Sequence, residues 1–138
     1  MQTTLRIHTR GAGLTEFTPD VRALVERHGR KASLASLFVQ HTSCSLLIQE
    51  NADPDVCRDL RAFFDRMVPD ANDPAMRYLT HRAEGPDDMP AHIKAAVLPV
   101  SLNVPIIGGA LALGTWQGLY LFEHRSAPHE RKVVVTLI

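Results

Sequence analysis

The sequence has few of the features that mark secreted, membrane-spanning or nucleic-acid-binding proteins. It contains only two cysteines, Cys44 and Cys57, and they form no CxxC pair, so no disulfide framework is indicated. No apolar run approaches the roughly 20 residues that cross a bilayer, and the first ten residues have no apolar signal core. Basic and acidic residues balance at 15 each, which argues against a general attraction to nucleic acid. We therefore expect a cytoplasmic protein that binds neither membrane nor nucleic acid.

Several common catalytic motifs are also absent. The sequence has no GxxxxGK[ST] loop, no GxGxxG after a strand, no GxSxG elbow and no HExxH helix, so no common nucleotide or protease chemistry is indicated. At 138 residues the chain is too short for a (β/α)8 barrel, which needs about 250 residues. The length predicts a single domain covering residues 1–138.

Alternating apolar and polar residues predict more strands than helices. The strands do not alternate strictly with helices, so the pattern favours an α+β fold with a mainly antiparallel sheet or sandwich. Between about 69 and 90 runs a polar, proline-rich connection, and long ordered loops are often functional. Strands are predicted at 2–9, 14–17, 34–41, 45–49, 100–106, 110–115, 118–124 and 131–138, and helices at 18–29, 53–68 and 90–98.

The first two predicted helices begin with a polar residue followed by proline. Thr18 and Asp53 are expected as N-caps, with Pro19 and Pro54 at the first helical position. The second helix carries an apolar stripe that is expected to be buried, and Trp116 is expected to fill the core. The stripe consists of Val56, Leu60, Phe63, Phe64 and Met67.

The stretch QHTSCSLLIQEN, residues 40–51, places His41 near Cys44. In one extended strand these two residues are an odd number apart and would face opposite sides, which argues against a cysteine–histidine nucleophile. The interpretation of Cys44 as a small buried residue is favoured. A straight strand would also hold His41 and Glu50 about 30 Å apart. They can share a site only if the chain turns near Ser43 to Ser45 or a neighbouring subunit supplies one of them.

Histidines and carboxylates supply the candidate metal ligands. His41, His81 and His92 could hold a divalent metal such as zinc, although their spacing matches no compact motif and ordinary polar or capping roles remain open. The neighbouring carboxylates could complete the site, bind magnesium or act as acid and base, or could be caps and solvated turns. These carboxylates are Glu50, Asp53, Asp59, Asp87 and Asp88.

Positively charged side chains and one side-chain amide are further candidates for the functional site. Lys94, Arg125 and Arg131 could bind phosphate, and surface charge is the alternative for all three. Gln117 lies beside the only tryptophan, between glycines that permit close backbone approach.

The sequence resembles the YjbQ-like family, often labelled secondary thiamine-phosphate synthase. The resemblance covers nearly the whole chain and is most specific in SLNVPIIGGALALGTWQGL, residues 101–119. Other matching segments are HTS at 41–43, ENADP at 50–54, GPDDMPAHIK at 85–94 and FEHR at 122–125. One departure is Cys44, where the family usually has alanine.

The resemblance implies a β-sandwich of α+β class, assembled as a homotrimer, with a suspected metal and a small-molecule substrate. The implied activity joins a pyrimidine diphosphate to a thiazole phosphate and releases pyrophosphate. A metal-dependent hydrolase or lyase and a non-catalytic metabolite-binding trimer remain alternatives. The implied pocket residues are His41, Glu50, Asp59, His81, His92, Gln117 and Glu123.

Overall fold

A computed structural model describes all 138 residues and contains eight strands, three α-helices and one short 3-10 helix. The strands are β1 Gln2–His8, β2 Gly13–Glu16, β3 Leu34–Val39, β4 Cys44–Glu50, β5 Ser101–Ile107, β6 Ala110–Leu111, β7 Gln117–Glu123 and β8 Glu130–Leu137. The helices are α1 Thr18–His28, α2 Pro54–Met67 and α3 Asp88–Val97, and the 3-10 helix is Pro74–Met76. None of the helices is long and apolar enough to cross a membrane.

The strands form two antiparallel sheets. The larger has the order β1-β8-β3-β5-β6 and the smaller the order β2-β7-β4. One apolar core joins them, since Leu37 and Val133 of the larger sheet belong to the same buried cluster as Leu46 and Leu119 of the smaller. Along β8, buried and more exposed residues alternate, as expected for a strand with one face in a core. The predicted α+β class with mainly antiparallel strands is confirmed.

Helix α1 packs on this core through Val21 and Val25. The prediction that Thr18 is its N-cap is wrong, because Phe17 occupies that position without a side-chain cap. The Thr18 hydroxyl instead donates to Glu16 Oε1 at 2.8 Å and accepts from the Leu119 backbone N–H at 2.8 Å. Thr18 therefore ties the helix start to the smaller sheet.

Helix α2 has the predicted N-cap, since Asp53 accepts a hydrogen bond from the Asp55 backbone N–H at 2.9 Å. The prediction of a buried stripe is wrong, because no residue of α2 is buried. Phe64 meets Phe122 of β7 edge to face with ring centroids 5.7 Å apart, but Phe63 and Met67 are 59% and 44% exposed. Helix α2 therefore contacts the smaller sheet along a narrow face and leaves Phe63 and Met67 exposed to solvent.

The connection between α2 and α3 is ordered by its own small core. Val68, Ala71, Met76 and Leu79 form a second buried cluster. The Arg82 guanidinium donates to the carbonyl oxygens of Leu79, Ala71 and Met76 at 3.0, 3.1 and 3.2 Å. These contacts fix the segment that carries His81.

Two predictions for the region 110–117 are wrong. The predicted strand at 110–115 is only the short strand β6, and Trp116 is 62% exposed and not in the core. The cause is a turn: Gln117 N–H donates to the Gly114 carbonyl at 3.0 Å, and Gly114 N–H donates to Gln117 Oε1 at 2.8 Å. The turn places the indole at the surface.

Candidate metal site

Two histidines and one aspartate converge at the start of α3. Asp88 is the first residue of the helix, His92 follows one turn later, and His81 comes from the preceding connection. The Asp88 Oδ2 atom lies 2.7 Å from His81 Nε2 and 3.2 Å from His92 Nε2. One ligand atom from each residue lies within 4.8 Å of the other two. Two imidazoles and a carboxylate at this spacing form a set that could hold a divalent metal.

A backbone contact fixes the orientation of the His92 ring. His92 Nδ1 lies 2.9 Å from the carbonyl oxygen of Thr42. A carbonyl can only accept, so Nδ1 must carry the proton. In the neutral ring, Nε2 then presents a lone pair toward the Asp88 carboxylate 3.2 Å away. That approach is favourable only with a second proton on the ring or a cation between the two groups.

The carboxylate of Asp88 is almost completely buried, with 2% of the side chain exposed. Its second oxygen, Oδ1, accepts from Arg125 Nη1 at 2.8 Å. Burial acts to raise the pKa of Asp88, but the His81 hydrogen bond and the charges of His92 and Arg125 outweigh it and lower that pKa. Asp88 therefore remains ionised between the two imidazoles.

Arg125, predicted to bind phosphate, is engaged by other groups. Its Nε donates to Asp87 Oδ2 at 2.9 Å and its Nη2 donates to the Glu84 carbonyl at 3.0 Å. Burial acts to raise the pKa of Asp87, but hydrogen bonds from Ser126 and Arg125 lower it to about 2. Arg125 thus connects two ionised aspartates at the start of α3.

Lys94, another predicted phosphate ligand, lies on α3 two residues after His92, but its side chain is directed toward α2. Its Nζ donates to Asp65 Oδ1 at 2.7 Å. It lines a small cavity together with His124, whereas His92 lines a separate groove. The structure therefore does not bring Lys94 to the histidine cluster.

His41 lies near the cluster but outside it. Its Nε2 accepts from the Lys132 backbone N–H at 2.8 Å, so this nitrogen is already occupied. Burial and the positive charge of Arg131 lower the pKa of His41. His41 and His92 line the same surface groove, which makes His41 a neighbour of the site.

Glu50 and Gln117 lie at the other end of the smaller sheet. In the β4–β7 pair, Glu50 is opposite Gln117 and Cys44 is opposite Glu123, and the six-residue step between these pairs spans roughly 20 Å. The chain does turn after β3, but this turn leaves His41 at the Cys44 end of β4. Within one chain the predicted set is therefore split, and Glu50 can approach the histidines only from a second copy.

Two further predicted pocket residues have other surroundings. Asp59 lies on the outward side of α2 beside Phe63 and Met67. Glu123 is fully buried, where it accepts from the Thr9 hydroxyl at 2.9 Å and from Arg131 Nε at 2.8 Å. Glu123 is therefore part of an internal ion pair between β7 and β8, to which Thr9, the residue after β1, adds a hydrogen bond.

Cys44 is completely buried, as expected. Burial raises the pKa of its thiol to about 12, so the thiolate required of a nucleophile is not available.

Asp88 is the central residue of the cluster, whereas the sequence favoured a solvated turn for Asp87 and Asp88 over a ligand role. The helix was predicted to begin at 90, whereas it begins at Asp88; with that start, the spacing of four residues between Asp88 and His92 places both on one face. The contact with His81 depends on the folding of the connection and had no local signal.

The fold and this site together define a small α+β sandwich protein with a two-histidine, one-aspartate cluster at one helix start. The family model described as UPF0047 protein YjbQ-like matches residues 3–138, and the chain belongs to this family.

Relatives and solved structures agree with this assignment. A UPF0047 protein of Synechocystis is 49% identical over 97% of this chain and 88% of its own length. UPF0047 protein YjbQ of Escherichia coli O157:H7 is 39% identical over 99% of this chain and 96% of its own. The crystal structure of a conserved hypothetical protein from Thermus thermophilus matches with a TM-score of 0.83 and 32% identity, covering 99% of both chains.

Proposed function

We propose that this protein is a metal-dependent enzyme acting on a small organic substrate, with His81, Asp88 and His92 as the metal ligands. The observation that carries the proposal is the approach of His92 Nε2 to Asp88 Oδ2 at 3.2 Å while Nδ1 donates to the Thr42 carbonyl. A cation between the two groups would satisfy both, and metal-binding histidines commonly donate their other N–H to a backbone carbonyl in this way.

The donor set favours one class of metal. Two imidazole nitrogens and one carboxylate suit zinc and related transition metals, whereas magnesium prefers an all-oxygen shell. Zinc is therefore proposed ahead of magnesium. When bound, such a metal polarises a substrate oxygen or lowers the pKa of a bound water.

The surrounding residues have separate roles in this proposal. The Thr42 carbonyl orients His92, and Arg125 holds Asp88 so that Oδ2 faces the imidazoles. The His81 side chain is 46% exposed, which leaves one side of the site open to substrate and water.

The geometry favours hydrolysis or lyase chemistry over the thiamine-phosphate synthase-like transfer that the family resemblance implies. A departing pyrophosphate needs positive charge, and all three predicted phosphate ligands are in ion pairs. Lys94 pairs with Asp65, Arg125 with Asp87 and Asp88, and Arg131 with Glu123. The transfer reaction would therefore depend on the metal for most of that charge.

We also propose a cytoplasmic homotrimer in which α2 contributes to the contact between copies. Two observations support the assembly: the uncovered Phe63 and Met67 on α2, and the distance that separates Glu50 and Gln117 from the histidines within one chain. A neighbouring copy could reduce that distance.

The metal proposal is tested by metal analysis of purified protein and by zinc titration calorimetry. We expect bound zinc or tight zinc uptake by the wild type and loss of that uptake in His92→Ala. His8→Ala is the matched control, because His8 is a surface histidine on β1. A protein that neither carries nor takes up any divalent metal would instead favour a non-catalytic metabolite-binding role.

The activity is tested with the zinc-loaded protein against small ester, phosphoester and carbonyl substrates, and against the two thiamine precursors. Metal-dependent turnover that is lost in His81→Ala is expected. Formation of thiamine phosphate at the wild-type rate by His81→Ala would show that any such synthesis does not use the histidine site.

A further inference from the structure

A groove runs along the surface beside the histidine cluster. It lies between α3 and the segment that includes the end of β3 and the following turn, and its volume is about 620 Å³, within the range usual for ligand pockets. The residues that shape it include Phe38, His41, Thr42, His92, Ala95 and Ala96.

Small residues on α3 create the space. His92, Ala95 and Ala96 are spaced i, i+3 and i+4, so they share one face of the helix, and all three line the groove. Two alanines at this position leave room beside the half-exposed ring of Phe38. A larger side chain at either alanine would occupy that room.

The groove has an apolar, uncharged character. No Lys, Arg, Asp or Glu lines it, and its polar groups are Gln40, Thr42 and the two histidines. A phosphate would find no side-chain cation there to offset its charge. An uncharged ring or aliphatic group could bury its surface against Phe38 and the alanines.

His92 connects this groove to the metal ligands. Its ring borders the groove, and its Nε2 faces Asp88 Oδ2 at 3.2 Å. Thr42, whose carbonyl holds the opposite ring nitrogen at 2.9 Å, lines the groove as well. A molecule in the groove would therefore lie against the same imidazole that is proposed to bind the metal.

We propose that this groove binds the uncharged apolar part of the substrate, while the substrate's polar reacting group meets the site at His81, Asp88 and His92. This inference rests on the proposed metal-dependent function and adds the class of substrate: a polar, metal-seeking group attached to an uncharged apolar body. Phosphate groups of a substrate would lie outside the groove.

The test compares two zinc-binding probes that differ in one part. Benzohydroxamate and acetohydroxamate bind zinc through the same hydroxamate, but only the first carries a ring. Titration of the zinc-loaded protein should show benzohydroxamate binding about tenfold or more tightly, since burial of an aromatic ring is worth at least this factor. Equal affinities for the two probes in the wild type would overturn the inference.

Ala96→Phe fills the groove without changing a metal ligand. We expect this variant to keep zinc and acetohydroxamate affinity and to lose the preference for the ring. The matched control is Val97→Phe, the neighbouring residue of α3, which is exposed and does not line the groove; it should keep the preference. A ring preference that survives Ala96→Phe would place the ring elsewhere and overturn the inference.

Two further readouts separate the competing explanations. Light scattering measures the oligomeric state and so tests whether a second copy of the chain occupies the groove. If Ala96→Phe dissociates an assembly and Val97→Phe does not, the groove is an interface between copies and the inference is overturned. A failure of zinc to bind the wild type would overturn the metal site itself, whereas zinc binding without any ring preference would overturn only the role of the groove.

Discussion

The Nδ1 atom of His92 lies 2.9 Å from the carbonyl oxygen of Thr42, and this contact determines which ring nitrogen can act as a ligand. Thr42 belongs to the turn between β3 and β4, and His92 to α3, so two separate parts of the fold set the ring orientation. A metal site built in this way depends on the packing of the helix against the sheet, and its outer contacts should matter almost as much as its ligands.

Arg125 provides the sharpest test of these outer contacts. The Arg125→Met substitution removes the N–H donors to Asp88 Oδ1 and Asp87 Oδ2. The Asp88 side chain is then free to rotate. We expect zinc affinity to fall about 10- to 100-fold, the usual effect of losing such a partner, as measured by competition with a zinc-binding dye.

The control for this experiment is Arg58→Met, which removes an exposed arginine paired only with Asp55. Zinc affinity in that variant should equal that of the wild type. Unchanged affinity in Arg125→Met would mean that Asp88 does not need its arginine, and the role of Arg125 would be limited to stability.

His124 should make the protein less stable in mild acid. Burial lowers the pKa of its imidazole from 6.5 to about 3, so between these values the unfolded chain binds a proton that the folded chain does not. The free energy of unfolding therefore falls as pH drops below about 6.5 and continues to fall until about pH 3. Urea denaturation at pH 7, 6, 5 and 4 measures this slope.

The matched variant is His124→Phe, which removes the titrating group and keeps an aromatic ring against Phe122. It loses the 2.9 Å contact with Ser45 and should be less stable at pH 7. Its unfolding free energy should nevertheless depend less on pH between 6.5 and 4. An identical slope in both proteins would assign the acid sensitivity to other groups.

Cys44 should be unreactive in the folded protein. Its side chain is fully buried and the pKa of its thiol is raised to about 12, whereas Cys57 is partly exposed. A thiol reagent such as DTNB is therefore expected to label one cysteine quickly in native protein and both in denaturant. Cys57→Ala should abolish the fast reaction, and Cys44→Ala should preserve it; fast labelling of Cys57→Ala would contradict the burial of Cys44.

The helices and strands could be predicted from the sequence because the patterns that indicate them are local. Alternation identified strands such as β1 and β8, and Asp53 followed by Pro54 marked the start of α2. Trp116 was misplaced because the turn that exposes it depends on the Gln117 side chain reaching back to Gly114. The apolar character of Trp116 does not indicate the hydrogen bond between Gln117 and Gly114.

The candidate site could be predicted only in part from the sequence. Three histidines were grouped by residue type, yet His41 Nε2 is occupied by the Lys132 N–H, a contact that exists only once β8 lies beside the chain that follows β3. His81 reaches Asp88 because the connection before α3 folds around Arg82. Neither relationship has a short-range signature, and the i, i+4 pairing of Asp88 with His92 was missed because the helix was predicted to begin at 90, two residues late.

The uncovered face of α2 leads to the last prediction. Phe63 and Met67 lie one helical turn apart and are 59% and 44% exposed in the single chain, so they share the apolar face that we propose a neighbouring copy covers. If α2 contributes to the proposed trimer, Phe63→Asp should yield monomers by light scattering, because a carboxylate in an apolar contact loses its hydration without gaining a partner. Since the residue makes few contacts within its own chain, the circular dichroism spectrum should change little. Phe63→Leu keeps an apolar surface and should keep the assembly, so monomers in both variants, or in neither, would place the contact on another face.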